Sequence, residues 1–177
     1  MTSAQDSSER APNTRSCGTC TLCCKVLAVQ DLLKPEGTWC KHCVQGRGCG
    51  IYETRPGECR TFGCLWLSDS NFPEALKPER SKVVFFLAEE GFQVGAMVDP
   101  GKPDAWKSPD IYRLLKRMAV VGVPEGRQII VFVKGNMTVI MPDRDVDLGP
   151  FTPGKRLVYK YINVGLGNQI EPVLENI

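Results

Sequence analysis

The residues of this chain most able to do chemistry are its nine cysteines, all of which fall between Cys17 and Cys64. They run Cys17-x2-Cys20-x2-Cys23-Cys24, then Cys40-x2-Cys43, then Cys49, Cys59 and Cys64. Two residues between cysteines let a short loop direct both sulfurs at one ion, and thiolates ligate structural zinc and iron–sulfur clusters. Two overlapping pairs followed by a third therefore predict a metal-binding region.

Disulfide bonding is the main alternative use of so many cysteines. Nine is an odd number, so at least one thiol would stay unpaired. The first residues, MTSAQDSSERAPNTRS, lack the apolar stretch of a secretory signal. We therefore expect a cytoplasmic protein, in a compartment that keeps thiols reduced and disfavours disulfides.

The number of cysteines predicts two metal sites. Four thiolates suit one tetrahedral Zn²⁺ or one iron–sulfur cluster, so nine suit two such sites with one cysteine to spare. Neighbouring side chains diverge, so either Cys23 and Cys24 serve different sites or one of them does not contact a metal and only supports the ligands. His42, the only histidine, could add a ligand or simply lie exposed within its cysteine pair. Spacing alone leaves zinc and iron both open.

The cysteine region also resembles a known family. The segments CGTCTLCC, CKHC and GCGIYETRPGECRTFGCLW are similar to those of the YkgJ-type cysteine-cluster proteins of bacteria, which are described as carrying a zinc- or iron-chelating domain. The resemblance covers about residues 16–67 and implies metal binding, without an established reaction. It implies core ligands at Cys17, Cys20, Cys23, Cys24, Cys49 and Cys59, with Cys40 or Cys43 between them. Cys64 is the position expected to vary, so Cys40 or Cys64 would be the spare cysteine.

Composition divides the chain into three parts. Residues 1–15 are small and polar and predict a flexible tail, residues 16–70 form the cysteine module, and residues 71–177 predict an α+β domain. The 22 basic and 20 acidic residues give a net charge of only +2, so no nucleic-acid partner is indicated. No apolar run reaches the length of a membrane span.

The third part predicts the order β-β-α-β-β-β, an antiparallel sheet with one packed helix. A helix is expected to begin at Pro109, with Ser108 as its N-cap, and to be stopped by Gly122 and Pro124. Its apolar face carries Ile111, Leu114, Leu115 and Met118. The strands are expected at residues 82–88, 92–98, 128–133, 137–141 and 156–164. A turn at residues 89–91 joins the first pair and Gly135-Asn136 the second, while residues 142–155 predict a loop containing Asp143, Asp145 and Asp147.

Three functional hypotheses remain open from the sequence. The first is a zinc- or iron-chelating protein whose metal holds the cysteine module together. The second is an iron–sulfur redox or iron-sensing protein. The third, an enzyme with an open metal position, is disfavoured because saturated thiolate sites leave no such position, and no phosphate loop or nucleophile motif occurs.

Overall fold

The computed structural model describes residues 14–88, 91–164 and 167–177, and it has the predicted α+β fold. The helices are α1 (Cys23–Val26), α2 (Gly57–Thr61), α3 (Leu65–Ser68), α4 (Pro78–Ser81) and α5 (Pro109–Gly122). The strands are β1 (Cys43–Val44), β2 (Gly48–Cys49), β3 (Val83–Ala88), β4 (Gln93–Val98), β5 (Gln128–Val133), β6 (Asn136–Ile140), β7 (Asp145–Pro150), β8 (Lys155–Val164) and β9 (Gly167–Asn176). Within the described ranges, no helix is long and apolar enough to cross a membrane.

A five-stranded sheet in the order β3-β4-β5-β6-β7 forms the centre of the molecule. Three of its pairs are antiparallel, as expected, but β4 and β5 are parallel. The expectation of a purely antiparallel sheet is wrong at this pair because α5 lies between the two strands in the chain. A helical crossover returns the chain to the starting end of the sheet, so the next strand runs in the same direction.

Helix α5 has the predicted bounds and packs on one face of the sheet. Ile111 and Leu115 are buried as expected, and Ala119 completes the buried stripe, whereas Leu114 and Met118 are only partly buried. Ser108 occupies the N-cap position, but its side chain makes no capping hydrogen bond.

The predicted loop at residues 142–155 is wrong, because much of it is strand β7, paired with β6. Asp145 lies on this strand, where its carboxylate accepts a hydrogen bond from Tyr112 Oη at 3.0 Å and forms an ion pair with Lys116 Nζ at 2.8 Å. Local propensity disfavours Asp, Gly and Pro in strands, but an edge strand tolerates them. The preceding β5–β6 turn also differs in detail, since the positive φ values are at Lys134 and Gly135 and Asn136 is already in β6.

The last predicted strand is only half of a separate two-stranded sheet. β8 pairs along its length with β9, a strand that the sequence analysis did not predict. Pro172 interrupts the apolar pattern of β9, yet it is fully buried opposite Tyr159. Arg144, which directly precedes β7, connects this hairpin to the five-stranded sheet. Its guanidinium donates to the carbonyl of Ile170, at 2.8 Å, and to the Glu171 carboxylate.

Two sequence predictions fall partly outside the described residues. These are the flexible tail, of which residues 1–13 are not described, and the turn at residues 89–91, of which only Gly91 is described. At the end of that tail, Arg15 is fixed rather than flexible. Its guanidinium donates to the carbonyls of Trp66, Asp69 and Phe72 at 2.7–2.8 Å.

The cysteine module packs on the sheet face opposite α5. Side chains alternate between faces along a strand: Val83 and Phe85 enter the core with α5, while Val84 packs with Leu22 and Val26 of the module. These three residues are at most 5% exposed. The module also reaches the main core through Leu65 and Trp66. The boundary near residue 71 stays a prediction.

Close packing of Phe86 over Gly95 on the neighbouring strand generates a first prediction. A Cβ at position 95 would overlap the Phe86 ring, which also packs on Phe62 with ring centroids 5.8 Å apart. Gly95→Ala should therefore lower the free energy of unfolding by about 1–3 kcal/mol, measured by urea denaturation. Phe86→Leu in the same chain should recover part of the loss. Equal stability of Gly95→Ala and wild type would contradict the packing.

A buried ion pair between the module and the sheet generates a second prediction. Lys25 Nζ lies 2.6 Å from Asp99 Oδ1, and the Gly101 N–H also donates to Asp99. Burial alone would raise the pKa of Asp99, but these two donors outweigh it and hold the pKa below its ordinary value. The pair therefore stabilises the fold above the unfolded-state pKa of about 4, and this contribution is lost as the pH falls through the lower folded-state value.

Urea denaturation of wild type and Asp99→Asn across this pH range measures the effect. The stability difference should be constant near neutral pH and should shrink below about pH 4. Asp104→Asn, which removes an exposed ion pair with Lys107, should match wild type throughout. A difference between wild type and Asp99→Asn that does not change with pH would exclude the ion pair as its cause.

Candidate metal centre

Most of the cysteines surround one cavity in the module. The cavity has a volume of about 380 Å³. The cysteines that line it are Cys17, Cys20, Cys23, Cys24, Cys40, Cys49 and Cys59. All nine cysteines are free thiols of intermediate exposure. The structure thus brings together sulfurs that the sequence separates by up to 42 positions.

Tight turns orient the sulfurs of the two-residue spacings. The N–H of Cys20 donates to the carbonyl of Cys17 at 2.8 Å, and the N–H of Cys43 donates to that of Cys40 at 3.0 Å. In the second turn the N–H of His42 also points at Cys40 Sγ, 3.4 Å away. Such N–H donors stabilise negative charge on sulfur, so these turns favour thiolate ligands.

Short elements hold these turns against each other. Helix α1 carries Cys23 and Cys24, and the carbonyl of Cys24 accepts a hydrogen bond from the N–H of Cys40 at 2.9 Å. The two-residue strands β1 and β2 pair Cys43 with Cys49, and α2 carries Cys59. Backbone pairing alone therefore connects the three cysteine-bearing segments.

The cysteines form two neighbourhoods. In the first, Cys24 is hydrogen-bonded to Cys23 and Cys43, and Cys59 interacts electrostatically with Cys24, Cys40 and Cys49. In the second, Cys64 interacts with Cys17 and Cys20. A smaller cavity, of about 20 Å³, lies in the second neighbourhood between Cys17, Cys20, Cys23 and Cys64.

Burial and mutual contacts raise the pKa of five of these thiols, which favours their protonated form in the absence of a cation. The hydrogen bond with Cys23, followed by burial, raises the pKa of Cys24 far above that of a free thiol. Burial and the neighbouring Cys24 raise the pKa of Cys43 to about 11. Burial is also the main cause that raises the pKa of Cys20, Cys59 and Cys64. A metal ion that binds here would have to displace protons.

As the side chains stand, no group of three or more Cys, His, Asp or Glu residues in the described ranges is arranged so that it could hold a metal ion. The donor chemistry nevertheless fits zinc or iron, because thiolates with backbone N–H donors are the ligands those metals take. Binding would require the thiols to lose their protons and to turn towards the cavities.

Lys34 is a buried cation that the sequence analysis missed. It is 7% exposed, and its Nζ donates to the carbonyls of Lys25 and Leu27 at the end of α1 and to that of Pro35. Its ammonium group lines the larger cavity and interacts with Cys23, Cys24, Cys40 and Cys59. Lys34 therefore donates hydrogen bonds to carbonyls at the end of α1 and also places a positive charge beside the thiol cluster. In the sequence, the only feature that sets Lys34 apart is the proline that follows it.

Two arginines that follow the third cysteine pair have different positions. Arg55 lines the larger cavity, with its guanidinium 4.0 Å from the centre of the Tyr52 ring. Arg60 instead holds the backbone, since it donates to the carbonyls of Arg55 and Glu53 at 2.8 and 3.3 Å. Arg55 is thus the one of the two that can act on a ligand in the cavity.

His42 contributes to this region through its backbone. Its N–H donates to Cys40 Sγ, and its carbonyl accepts from the N–H of Gly50 at 2.8 Å. Among the described residues, those that line the two cavities do not include His42. Whether His42 ligates a metal stays a prediction.

The contacts of Lys34 generate a third prediction. Lys34→Met keeps the aliphatic length but leaves three partly buried carbonyls without their donor, so the free energy of unfolding should fall by about 1–3 kcal/mol in urea denaturation. Lys41→Met removes an exposed lysine from the neighbouring cysteine turn and should change stability little. Equal losses in the two variants would show that burial of the ammonium group has no special role.

Comparisons with protein-family models, with curated proteins and with solved structures gave no match. The function of the site is therefore inferred from its own residues.

Proposed function

We propose that this chain is a metal-binding protein whose cysteine module chelates zinc or iron through thiolates. The observation that carries the proposal is the cavity lined by seven cysteines from three separate segments. A random set of buried thiols would have no reason to face one space, whereas metal ligands must. The resemblance to YkgJ-type cysteine-cluster proteins of bacteria supports the same function, and we propose membership of that family on the motifs alone.

The surroundings of the cavity suit an anionic metal centre. A divalent ion with four thiolates keeps a net negative charge, and Lys34 and Arg55 line the same cavity. Leu27, Ile51 and Phe62 provide apolar walls that exclude water. We assign the protein to a reducing compartment such as the cytoplasm, where these thiols stay available for metal.

An iron–sulfur cluster is the second candidate, favoured by the size of the larger cavity. A volume of about 380 Å³ is far more than a single ion needs, and it would accommodate a centre of several atoms. A cluster of this kind is held by four cysteine thiolates and supplies one-electron chemistry. The chain's own residues would bind it, screen it from water and set its potential through the charge of Lys34.

Metal analysis of the protein purified without oxygen provides the test. We expect zinc or iron bound in a fixed ratio to the chain, and Cys59→Ser should weaken binding by at least about tenfold, the loss that removal of an outer-shell partner already causes. Thr61→Ala removes a hydroxyl from the same helix and should bind metal like wild type.

The outcomes of this experiment separate the candidates. A coloured protein that contains iron and acid-labile sulfide identifies the iron–sulfur form, and a colourless protein with stoichiometric zinc rejects it. A protein that takes up neither metal, with all nine thiols reduced, would reject the proposed function. Removal of a bound metal by a chelator should also disorder residues 16–67, visible as loss of their dispersed amide resonances.

A further inference from the structure

We propose that Cys64 completes a second metal site with Cys17, Cys20 and Cys23, a site for one tetrahedral divalent cation of the zinc type. The remaining cysteines, Cys24, Cys40, Cys43, Cys49 and Cys59, then serve the larger centre. This inference rests on the proposed function and adds to it the grouping of the ligands. It reverses the expectation that Cys64 is a spare cysteine.

The first argument is the size and lining of the smaller cavity. Its volume is about 20 Å³, room for about one water-sized sphere. Four cysteines line it, and the other lining residues are Trp66, Leu67, Pro78 and Val84. A space for one ion, walled by four sulfurs and otherwise mostly apolar, matches a closed structural zinc site, which has four ligands and no open position.

The second argument is the position of two of the cysteines beside backbone N–H groups. Cys64 is the N-cap residue of α3, next to the N–H groups of Trp66 and Leu67, and its side chain makes no capping hydrogen bond. Cys20 lies next to the N–H groups of Leu22 and Glu79. N–H groups beside a sulfur stabilise a thiolate ligand, so both cysteines lie where a metal-bound thiolate is favoured.

The third argument is the backbone position of Cys64. It forms a bridge with Phe86 at the outer edge of β3, so its main chain is held by the sheet. From there Phe62 packs towards the module face and Leu65 towards the core with α5. Cys64 therefore faces Cys17 and Cys20 from a rigid support, unlike a spare cysteine on a free loop.

The contacts of the remaining cysteines are consistent with a separate centre. Cys59 interacts electrostatically with Cys24, Cys40 and Cys49, and Cys43 interacts with Cys24 and Cys40. Cys17, Cys20 and Cys23 border both cavities, but Cys64 borders only the smaller one. The vicinal pair Cys23 and Cys24 would divide between the two sites. The one surplus thiol then belongs to the larger group.

Zinc counting on full-length protein tests the grouping. Wild type, Cys64→Ser and Cys59→Ser are loaded with Zn²⁺ under reducing conditions, and bound zinc per chain is measured after removal of excess metal. We expect Cys64→Ser to retain one zinc fewer than wild type. If wild type binds zinc and Cys64→Ser retains all of it, the inference is overturned while the proposed function stands. If wild type binds no metal, the proposed function fails first.

A second test uses thiol alkylation of the wild-type protein, so that its result does not depend on the folding of a variant. The zinc-loaded protein is treated with iodoacetamide during titration with a chelator, and each cysteine is followed by mass spectrometry of proteolytic peptides. We expect Cys64 to be protected and to become reactive in the same step as Cys17 and Cys20, separately from Cys43 and Cys59. Alkylation of Cys64 in the fully loaded protein, or its release together with Cys59, would overturn the grouping.

Discussion

An apolar seam between the cysteine module and the sheet is the contact on which the arrangement of the thiols depends. Leu22 and Val26 of the module and Val84 of β3 are at most 5% exposed, and Leu27, Phe62 and Met97 pack around them. Burying one such side chain fully contributes about 1.5–3 kcal/mol. The glycine-rich loops that carry the cysteines have no comparable core of their own, so this seam gives them a fixed support.

Charge is the second constraint on the module. The formal net charge of +2 is counted with neutral cysteines, and burial and mutual contacts raise the pKa of several of these thiols. Sulfurs that ligate a cation become thiolates, and a thiolate-saturated centre stays anionic even with its metal. The buried ammonium group of Lys34 and the N–H of His42, which donates to Cys40 Sγ, would offset that charge from fixed positions.

The two cavities differ in ways that suggest different roles for what they hold. The smaller one lies against Trp66 and Val84, where an ion would connect the N-terminal turn to the sheet. The larger one is bordered by Tyr52 and Arg55 and has far more volume than one ion requires. A chain of this size can bury enough surface to fold without cross-links. Under the proposed function, a metal ion would therefore stabilise the cysteine module rather than the sheet.

Features that depend on neighbours in the chain can be predicted from the amino-acid sequence. Helix α5 between Pro109 and Gly122 was predicted with correct bounds because its capping residues and apolar periodicity are local. The strands at residues 83–88 and 93–98 follow from local alternation in the same way. The concentration of cysteines at two-residue spacings likewise led to the metal-binding hypothesis, which stays a proposal.

Contacts between segments that are distant in the chain are seen only in the folded molecule. The parallel pairing of β4 with β5, the edge strand β7 and the partner strand β9 depend on hydrogen bonds to remote residues, which override the local preferences of Asp, Gly and Pro. The burial of Lys34 and the position of Cys64 beside Cys17 and Cys20 arise in the same way, from packing of the module on the sheet. The spacing of the cysteines along the chain indicates which turns can form. The packing of the module on the sheet determines which of these turns contribute to the same site.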